Sequence, residues 1–406
     1  MKVLYFHQHF VTPGGAGGVR SYAMARKLIE RGHQVTMVCG HFVGGFSGLT
    51  SPFVKGVRRG LVDGIDLIEF DLRYSNADGY LKRSFAFLRF VMRSLRLIFS
   101  EKYDIIFATS TPLTAGIPGI FARWLRGKLF IFEVRDLWPE LPKAMGVIKN
   151  PLILWSMNVL EWITYKSAHR LIGLAPGIVE GISQRGISKK NIALIPNGCD
   201  LDIFFDNPSP WRPKPIKPND FIAIFAGTHG VANGLDALLD VAEELKKRKR
   251  KDIKILLVGQ GKLKAALQRR ANRDNLRNII FYDSIDKFRL AGLLSASDLG
   301  IQCLADVSAF YYGTSPNKFF DYTAAGLPVL NNYPGWISEI IIKHQCGFSI
   351  KPNNPILFAD ILEWAADNKL ELGFMRKNSR KLARTQFNRD LLSSQWVEWV
   401  EGAKSI

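Results

Sequence analysis

The feature that most constrains the fold of this chain is a repeated alternation of short apolar strands with amphipathic helices. The first repeat has a strand over 3–6, a glycine-rich loop over 12–18, a helix over 19–31 and a strand over 35–39. This order places two parallel strands side by side with the helix packed across them. Similar patterns follow at 65–70, 105–109, 116–126, 129–132 and 171–174. We therefore predict an α/β domain built on a doubly wound sheet.

A proline-rich segment divides the chain. Asp206–Asp220 contains five prolines, a composition typical of a linker. The alternation then restarts, with apolar strands at 221–226, 253–258, 279–282, 299–303 and 329–331. A chain of 406 residues is also too long for one ordinary core. We predict an N-terminal domain over 1–205, a linker over 206–220, a C-terminal domain over 221–387, and a last helix over 388–406 that packs back on the first domain.

The charge of the chain limits its partners. The net charge is +19, from 55 Lys and Arg against 36 Asp and Glu, which favours nucleic acid, a phosphorylated ligand or an acidic membrane surface. The basic run over 246–251 is typical of a nucleic-acid patch, but it also ends a predicted helix, where cations suit the helix dipole. We favour a solvated helix end, because no RNA or DNA motif places aromatic residues among the basic runs.

The sequence predicts a reduced, cytoplasmic setting. Its cysteines match no metal-binding or redox spacing and are Cys39, Cys199, Cys303 and Cys346. Residues 1–6 are typical of a strand and not of a signal peptide. No run of about 18 uncharged apolar residues occurs, so no spanning helix is predicted. We expect neither a metal ion nor another cofactor.

One segment, Tyr311–Val329, combines several features of a nucleotide site. A small polar turn over 313–315 leads into a predicted helix that begins near Pro316. The first N–H groups of a helix are open and bind anions readily. Lys318 lies one step inside this helix, and Asp321 supplies a carboxylate that could hold vicinal hydroxyls. A capped surface helix is the plainer interpretation of the same residues.

Short motifs over nearly the whole chain resemble those of family 4 of the retaining glycosyltransferases. They are Gly17-Gly18, Gly32–Val35, Ile195–Asp200, Phe225–Gly227, Leu257–Gly261, Ala325–Val329 and Gly335–Ile340. The resemblance implies an α/β chain with the GT-B fold, in which two doubly wound, Rossmann-like domains face each other across a cleft. Two further motifs, over 133–140 and 315–322, resemble a bacterial subgroup that assembles O-antigen, capsule and exopolysaccharide and includes fucosamine transferases.

Three positions depart from the family pattern. The family usually carries two glutamates eight positions apart, and these are Gly313 and Asp321 here. The usual Arg and Lys are missing from the loop Gly227–Gly234, and Arg135 stands where many relatives carry His before Asp. Because a pyrophosphate needs cationic compensation, Lys318 becomes the nearest candidate cation.

The resemblance implies a donor site on the C-terminal domain. Its predicted residues are Gly227, His229, Lys264, Ser284, Thr314, Ser315, Asn317, Lys318 and Asp321. Lys318 would stabilise the negative charge that grows on the leaving phosphate, and Asp321 would bind ribose hydroxyls. Each has an alternative: Lys318 as a surface lysine, Asp321 as a first-turn carboxylate and His229 as a structural histidine.

The acceptor side is predicted on the N-terminal domain. An acceptor or phosphate loop is implied at Gly17, Gly18 and Arg20. The predicted catalytic residues, besides Lys318, follow the strand over 129–132 and are Arg135, Asp136 and Glu140. Asp136 or Glu140 could accept the proton of the acceptor hydroxyl, and Arg135 could contact phosphate. A structural set of salt bridges is the alternative.

A helix over 82–99 is predicted to bind a membrane surface. Its cations form a narrow stripe at Lys82, Arg89, Arg93 and Arg96. Apolar residues, Phe85 among them, fill most of the remaining surface, which is more than one packed face requires. An interfacial helix among anionic lipid headgroups accounts for this pattern, and a buried helix with a snorkelling edge is the alternative.

Together these features predict a retaining glycosyltransferase, a hexosyltransferase, peripheral on the cytoplasmic face of the inner membrane. It would move a sugar, an N-acetylated amino sugar, from a UDP-sugar to a polyprenyl-diphosphate-linked acceptor in lipopolysaccharide O-antigen or capsule biosynthesis. It would need no metal and bind no nucleic acid. Two alternatives stay open. A UDP-sugar epimerase of the same fold would turn over donor without acceptor, and a basic nucleic-acid-binding protein would bind oligonucleotides in a salt-dependent way.

Overall fold

The computed structural model describes residues 1–15, 17–74, 78–205 and 209–405. The chain divides into two compact units. The first comprises Met1–Asn197, Tyr312–Ser315 and the C-terminal segment from Asp390. The second comprises Gly198–Tyr311 and Pro316–Arg389. Each unit is an α/β structure around its own sheet.

In the described part of the chain, the first unit is built on a sheet of eight strands. These are β1 (Lys2–Phe6), β2 (Gln34–Phe42), β3 (Val57–Val62), β4 (Ile65–Tyr74), β5 (Ile105–Thr109), β6 (Leu129–Val134), β7 (Arg170–Gly173) and β8 (Ile192–Leu194). They lie in the order β3-β4-β2-β1-β5-β6-β7-β8, and every pair is parallel except β3 with β4. The central strand β5 is buried along its whole length, which accounts for the apolar run over its first four residues.

The helices of the first unit cover both faces of this sheet. They are α1 (Arg20–Glu30), α2 (Tyr80–Ser100), α3 (Ile117–Arg126), α4 (Glu140–Ala144), α5 (Pro151–Ser167) and α6 (Pro176–Gln184). Right-handed crossovers place α2, α3 and α5 on one side, where α2 contacts α3 and α3 contacts α5. Local signals set the ends: the Asn150 side chain caps α5, and Gly127, in the left-handed region, ends α3.

The second unit repeats the plan with a smaller sheet. Its described strands are β9 (Phe221–Ala226), β10 (Ile253–Val258), β11 (Ile279–Tyr282), β12 (Leu299–Gln302), β13 (Val329–Asn331) and β14 (Gly347–Ser349). All pair in parallel in the order β11-β10-β9-β12-β13-β14. The helices are α7 (Leu201–Phe204), α8 (Asp236–Lys247), α9 (Lys264–Arg273), α10 (Lys287–Ser295), α11 (Ala309–Gly313), α12 (Asn317–Ala324), α13 (Trp336–His344), α14 (Pro355–Asp367) and α15 (Lys369–Thr385), and the last two residues of α11 group with the first unit.

The last helix, α16 (Arg389–Glu401), packs on the first sheet. Its Trp396 is completely buried, with ring centroids 4.6 Å from Phe107 and 6.0 Å from Tyr5. The indole N–H of Trp396 donates to Glu133 at 3.2 Å, and that of Trp399 donates to the carbonyl of Leu171 at 3.1 Å. The apolar burial and the satisfied indole groups hold this segment on the first unit.

The boundary between the units lies earlier than residue 205. Residues 198–205 belong to the second unit because their contacts are there. An isolated backbone β-bridge joins Cys199 to Asn388, and the Asp200 carboxylate forms ion pairs with Lys287 and Arg389. These partners are distant in sequence, so composition alone does not reveal them. Part of the predicted linker, 206–208, lies outside the described residues.

The basic run over 246–251 ends α8 and is partly neutralised. Arg248 donates to the carboxylates of Glu244 at 2.9 Å and Glu363 at 2.6 Å, and Arg250 pairs with Asp367 at 2.9 Å. Those acidic partners come from α8 itself and from α14. The run therefore joins two helices of the second unit, in addition to capping α8.

Candidate active site

The predicted donor residues of the second unit lie at the carboxyl ends of its strands. Gly227 follows β9 directly, Ser284 follows β11 and is exposed, and Lys318 and Asp321 lie on α12. In parallel sheets these strand ends meet along one edge, where doubly wound proteins bind their ligands. The topology thus brings together residues nearly a hundred positions apart.

The loops after β9 and β10 are in direct backbone contact. A Cβ on Gly259 would lie 2.0 Å from the carbonyl oxygen of Gly227, and one on Gly261 would lie 2.4 Å from that of His229. Gly259 also has a φ of +146°. Only glycine tolerates this approach and this conformation. The glycine-rich sequence therefore locks the two loops together.

The side chain of His229, a residue of the loop after β9, is completely buried between Phe225 and Phe281. Within the described structure neither ring nitrogen has a hydrogen-bond partner. Burial, with a smaller contribution from Lys264, lowers the pKa of His229 to about 4, so the ring is neutral at pH 7. The ring is not accessible in this arrangement, and its predicted contact with a donor stays a prediction.

Lys318 is the cation that faces the glycine-rich loop. Its Cε would be 3.1 Å from a Cβ on Gly227, and its Nζ donates to Asn233 at 3.2 Å. The ammonium also lies 5.1 Å from the centre of the Phe225 ring. Burial lowers the pKa of Lys318 to about 8, so the side chain is largely charged at neutral pH, and a bound anion would hold it charged. The structure thus places the candidate cation beside the loop that lacks the usual Arg and Lys.

The anion site predicted at 313–318 contains a helix end without a side-chain cap. Pro316 is the capping residue of α12, and Asn317 is its first helical residue. The Pro316 side chain makes no capping hydrogen bond, and the first N–H groups of a helix are the kind of donors that bind anions. Thr314 and Ser315 group with the first unit, where the backbone N–H of Asn197 donates to the Ser315 hydroxyl at 3.0 Å.

Asp321 belongs to a buried ionic cluster. The Lys287 ammonium donates to Asp321 and to Asp200, each at 2.8 Å, and Arg389 donates to Asp200 at 2.7 Å. Burial raises the pKa of Asp321, and Lys287 opposes that rise. For Asp200, Arg389 and Lys287 overcome the effect of burial and lower the pKa. Binding of ribose by Asp321 would have to share the carboxylate with Lys287.

The Lys264 ammonium already has three hydrogen-bond acceptors within the second unit. Its ammonium donates to the carbonyls of Gly259 at 2.9 Å and Tyr282 at 3.0 Å, and pairs with Asp283 at 2.6 Å. A cation at the start of a helix opposes the helix dipole, and these three acceptors offset that cost. We interpret Lys264 as a residue that positions the loops after β10 and β11.

Arg20, predicted to contact the acceptor, is completely buried. It donates to the Glu133 carboxylate at 2.8 and 3.0 Å and to the carbonyls of Ile195 and Pro196 at 2.9 and 2.5 Å. Its guanidinium therefore joins α1, β6 and the segment after β8, and we interpret it as structural. Residues 17–18 of the same predicted loop are at least partly exposed.

Arg135 lies at the carboxyl end of β6, which is separated from β1 by β5 alone. Its guanidinium is 3.0 Å from Nε2 of His7, and its backbone N–H donates to the Ser110 hydroxyl at 2.9 Å. Burial and the neighbouring Arg135 lower the pKa of His7 well below its usual value. A neutral His7 can accept a hydrogen bond from Arg135, which fixes the guanidinium at the sheet edge.

Asp136 and Glu140 differ in their surroundings. Asp136 accepts a hydrogen bond from the Thr111 hydroxyl at 3.0 Å, and burial raises its pKa. Glu140 is exposed at the first position of α4. A carboxylate with a raised pKa is the better proton acceptor, so Asp136 has the chemistry of a general base.

Sequence reasoning missed His7, His9 and Lys287. Both histidines lie within three residues of the end of β1, whose carboxyl end is a ligand edge, and this position was an available signal. Burial lowers the pKa of His9 to about 4. Lys287 follows the Asp286 helix cap and has no local signal, because its two partners lie 34 and 87 residues away.

Family comparisons match both domains. Residues 15–198 match a glycosyl transferase 4-like domain, and residues 210–383 match the glycosyl transferases group 1 domain. The chain is a glycosyltransferase. The two matches share the division of the chain seen in the fold. A comparison of this glycosyltransferase with curated protein sequences finds no match.

Solved structures share the fold of this glycosyltransferase. Sucrose-phosphate synthase from Thermosynechococcus elongatus has a TM-score of 0.76 at 17% identity, over 100% of this chain and 99% of its own. HepE from Anabaena, in complex with UDP and glucose, has a TM-score of 0.69 at 16% identity, and the match covers 99% of this chain and 100% of HepE. WaaG, involved in lipopolysaccharide biosynthesis, has a TM-score of 0.69 at 16% identity, and the match covers 97% of this chain and 98% of WaaG. The predicted GT-B fold is confirmed, and the finer subgroup stays a prediction.

Proposed function

We propose that this glycosyltransferase moves an N-acetylated amino sugar from a UDP-sugar to a polyprenyl-diphosphate-linked acceptor, with retention of anomeric configuration. The product would enter a bacterial surface polysaccharide such as O-antigen or capsule. The observation that carries the proposal is Lys318, held against the glycine-locked loop at Gly227 beside the uncapped start of α12. The complex of HepE with UDP and glucose supports the donor class, and the role of WaaG supports the product class.

The donor side would act on the leaving group. As the bond between the sugar and the phosphate breaks, negative charge grows on the nucleoside diphosphate. The Lys318 ammonium and the N–H groups of Asn317 and Lys318 would stabilise that charge, and they are in place before the reaction begins. Although burial lowers the pKa of Lys318 to about 8, its ammonium is still largely charged at neutral pH in the free protein, so a diphosphate would meet a charged partner.

The acceptor side would use the carboxyl edge of the first sheet. Asp136 would take the proton of the acceptor hydroxyl as its oxygen forms the new glycosidic bond, and Arg135 would contact phosphate of the acceptor. His7 would keep the Arg135 guanidinium in place. Glu140 is the alternative proton acceptor, because it is exposed and only four residues further along the chain than Asp136.

A ligand panel tests the donor assignment. UDP-, GDP-, ADP- and dTDP-sugars are compared by thermal shift, because only a ligand that binds the native state stabilises it appreciably. We expect the UDP-sugar to give the largest shift. A shift confined to another nucleotide would overturn the choice of UDP.

A transfer assay then tests the reaction. Product NMR with a polyprenyl-diphosphate acceptor should show retained anomeric configuration, and activity should persist in EDTA. Inversion, or a full loss in EDTA restored by Mn²⁺, would contradict the proposal. Turnover of the donor without any acceptor would identify an epimerase instead.

A further inference from the structure

Three helices of the first unit present an unusual outer surface. α2, α3 and α5 lie on one side of the sheet, and their inner sides bury Phe90, Ile98 and Ala122 against it. A surface helix normally shows polar residues on the opposite side. Here the outward side of these helices, named the three-helix face, is rich in large apolar side chains. Among the described residues, no helix is both long and apolar enough to cross a bilayer.

The apolar side chains of α2 lie along most of its length. Those that are more than half exposed are Leu81, Phe85, Leu88, Met92 and Phe99. A helix of 21 residues is about 30 Å long, so these groups cover an extended strip. Exposed apolar patches of this kind mark interaction surfaces in soluble proteins.

The neighbouring helices widen the strip. On α3, Trp124 and Leu125 are more than half exposed, and on α5 so are Leu152 and Trp155, with Trp162 at 50%. Tryptophan combines an apolar ring with a polar N–H and is enriched where a membrane meets water. The sequence pattern of 82–99 indicated one such helix, and the structure joins three of them.

The charge of the three-helix face selects its partner. The three helices carry eight Lys and Arg, five on α2, two on α3 and one on α5, and a single carboxylate, Glu161. Glu161 is buried and pairs with Arg185 at 2.6 Å. In the described part of these helices no carboxylate is therefore exposed. A second copy of this face would bring like charges together, whereas anionic lipid headgroups complement it.

The predicted stripe of four cations needs one correction. Lys82, Arg89 and Arg96 are exposed, although Lys82 pairs with Asp78 at the start of the helix. Arg93 instead donates to the carbonyl of Gly56 and lies over a ring of the sheet. Three of the four predicted cations are thus available to a surface.

We propose that the three-helix face docks the enzyme on an anionic lipid bilayer, with the apolar side chains in the interfacial region and the cations among the headgroups. Helix α2, which carries part of this face, also reaches the acceptor edge of the first sheet: its Phe87 packs edge-on against His9, in the loop after β1, with ring centroids 6.3 Å apart. Docking would therefore hold that edge at the lipid surface, and this consequence rests on the proposed lipid-linked acceptor. Docking itself does not depend on the reaction.

Vesicle sedimentation of the full chain tests the proposal. The probe is vesicles of equal parts phosphatidylglycerol and phosphatidylcholine, with phosphatidylcholine alone as the reference. Replacing Lys82, Arg89 and Arg96 by Gln should weaken partition of the protein onto the anionic vesicles by roughly 100-fold, because each cation near an anionic surface adds its own contribution to the binding free energy. The matched control replaces three exposed lysines of α15, Lys369, Lys377 and Lys381, by Gln and should bind like wild type.

A second variant tests the contribution of the exposed apolar side chains of the three-helix face. Phe85→Ser with Trp155→Ser and Trp162→Ser should reduce binding further at high salt, where the electrostatic contribution is screened. Its control is Leu370→Ser with Phe374→Ser, two exposed apolar residues of α15. Both controls keep the three-helix face intact, so they should sediment normally.

Two results would overturn the proposal. One is equal sedimentation of wild type and the Gln variant. The other is a wild-type dimer that the apolar variant converts to a monomer without any change in vesicle binding, which would make a second copy the occupant. Transfer to a short soluble acceptor, measured in parallel, separates the two proposals. Vesicle binding without any sugar transfer would refute the function and leave the docking face standing.

Discussion

Replacing Lys287 by Met is expected to destabilise the second domain strongly. The Lys287 ammonium is the ion-pair partner of Asp321 and one of two partners of Asp200, with both distances at 2.8 Å. The three side chains are between 4 and 11% exposed. Methionine has a similar length and no charge, so the substitution removes the cation while it keeps most of the packing.

The size of the effect follows from the burial. Removing one member of a buried ion pair typically costs about 3–5 kcal/mol, because the other charge is left uncompensated. Asp200 keeps Arg389 at 2.7 Å, so most of the penalty falls on Asp321. The expected loss in the free energy of unfolding at neutral pH is therefore about 3 kcal/mol or more.

The loss should depend on pH in a defined direction. Burial already raises the pKa of Asp321, and removal of Lys287 raises it further. A carboxyl whose pKa is higher in the folded state destabilises the fold above that pKa. This destabilisation disappears as the pH falls towards the unfolded value of about 3.9, where the group is neutral in both states. The difference between Lys287→Met and wild type should therefore shrink in mildly acidic solution.

Urea denaturation at neutral and mildly acidic pH, with hydrogen exchange of α10 and α12, measures the effect. The double variant Lys287→Met with Asp321→Leu should recover much of the loss, since it replaces the pair by apolar groups. Lys343→Met, at an exposed lysine of α13, is the control and should stay within about 0.5 kcal/mol of wild type. Unchanged stability of Lys287→Met at neutral pH, or a loss that grows in acid, would refute this reasoning.

Four further predictions concern donor binding and the reaction. Lys318→Ala should lower kcat by about 100-fold and weaken donor binding less, because leaving-group charge grows in the transition state. Donor binding should also fall as the pH rises above about 8, where Lys318 loses its proton, and Lys318→Arg should abolish that fall; equal pH profiles would count against Lys318. Asp136→Asn should lower kcat by about 100-fold or more and Glu140→Gln much less, and the reverse order in the same transfer assay would move the base to Glu140. Asp321→Ala should weaken nucleotide binding in calorimetry by about 1–3 kcal/mol, and unchanged affinity of the folded variant would remove its ribose role.

Local sequence determined the architecture. Strands such as β5 are buried along their whole length and so consist of short apolar runs, while α1 and α8 show one apolar side. Both patterns are visible within a window of a dozen residues. A chain in which buried strands alternate with amphipathic helices must form parallel strands with crossover helices. That topology places the loops after β1, β6, β9 and β10 at ligand edges. The fold class and the side of each sheet that bears the site were therefore predictable.

Only the tertiary structure decided which charged residues are paired in the core and which are free to contact a ligand or a surface. Arg20 and Glu133 are 113 positions apart and satisfy each other in the core, and Lys287 meets Asp200 across 87 positions. No local pattern encodes such pairs, because burial depends on what the rest of the chain brings to that point. The same holds for the three-helix face. Each helix has an apolar excess in its own sequence, but only the packing of α2 beside α3 and α3 beside α5 shows that the exposed apolar residues lie on the outer sides of neighbouring helices.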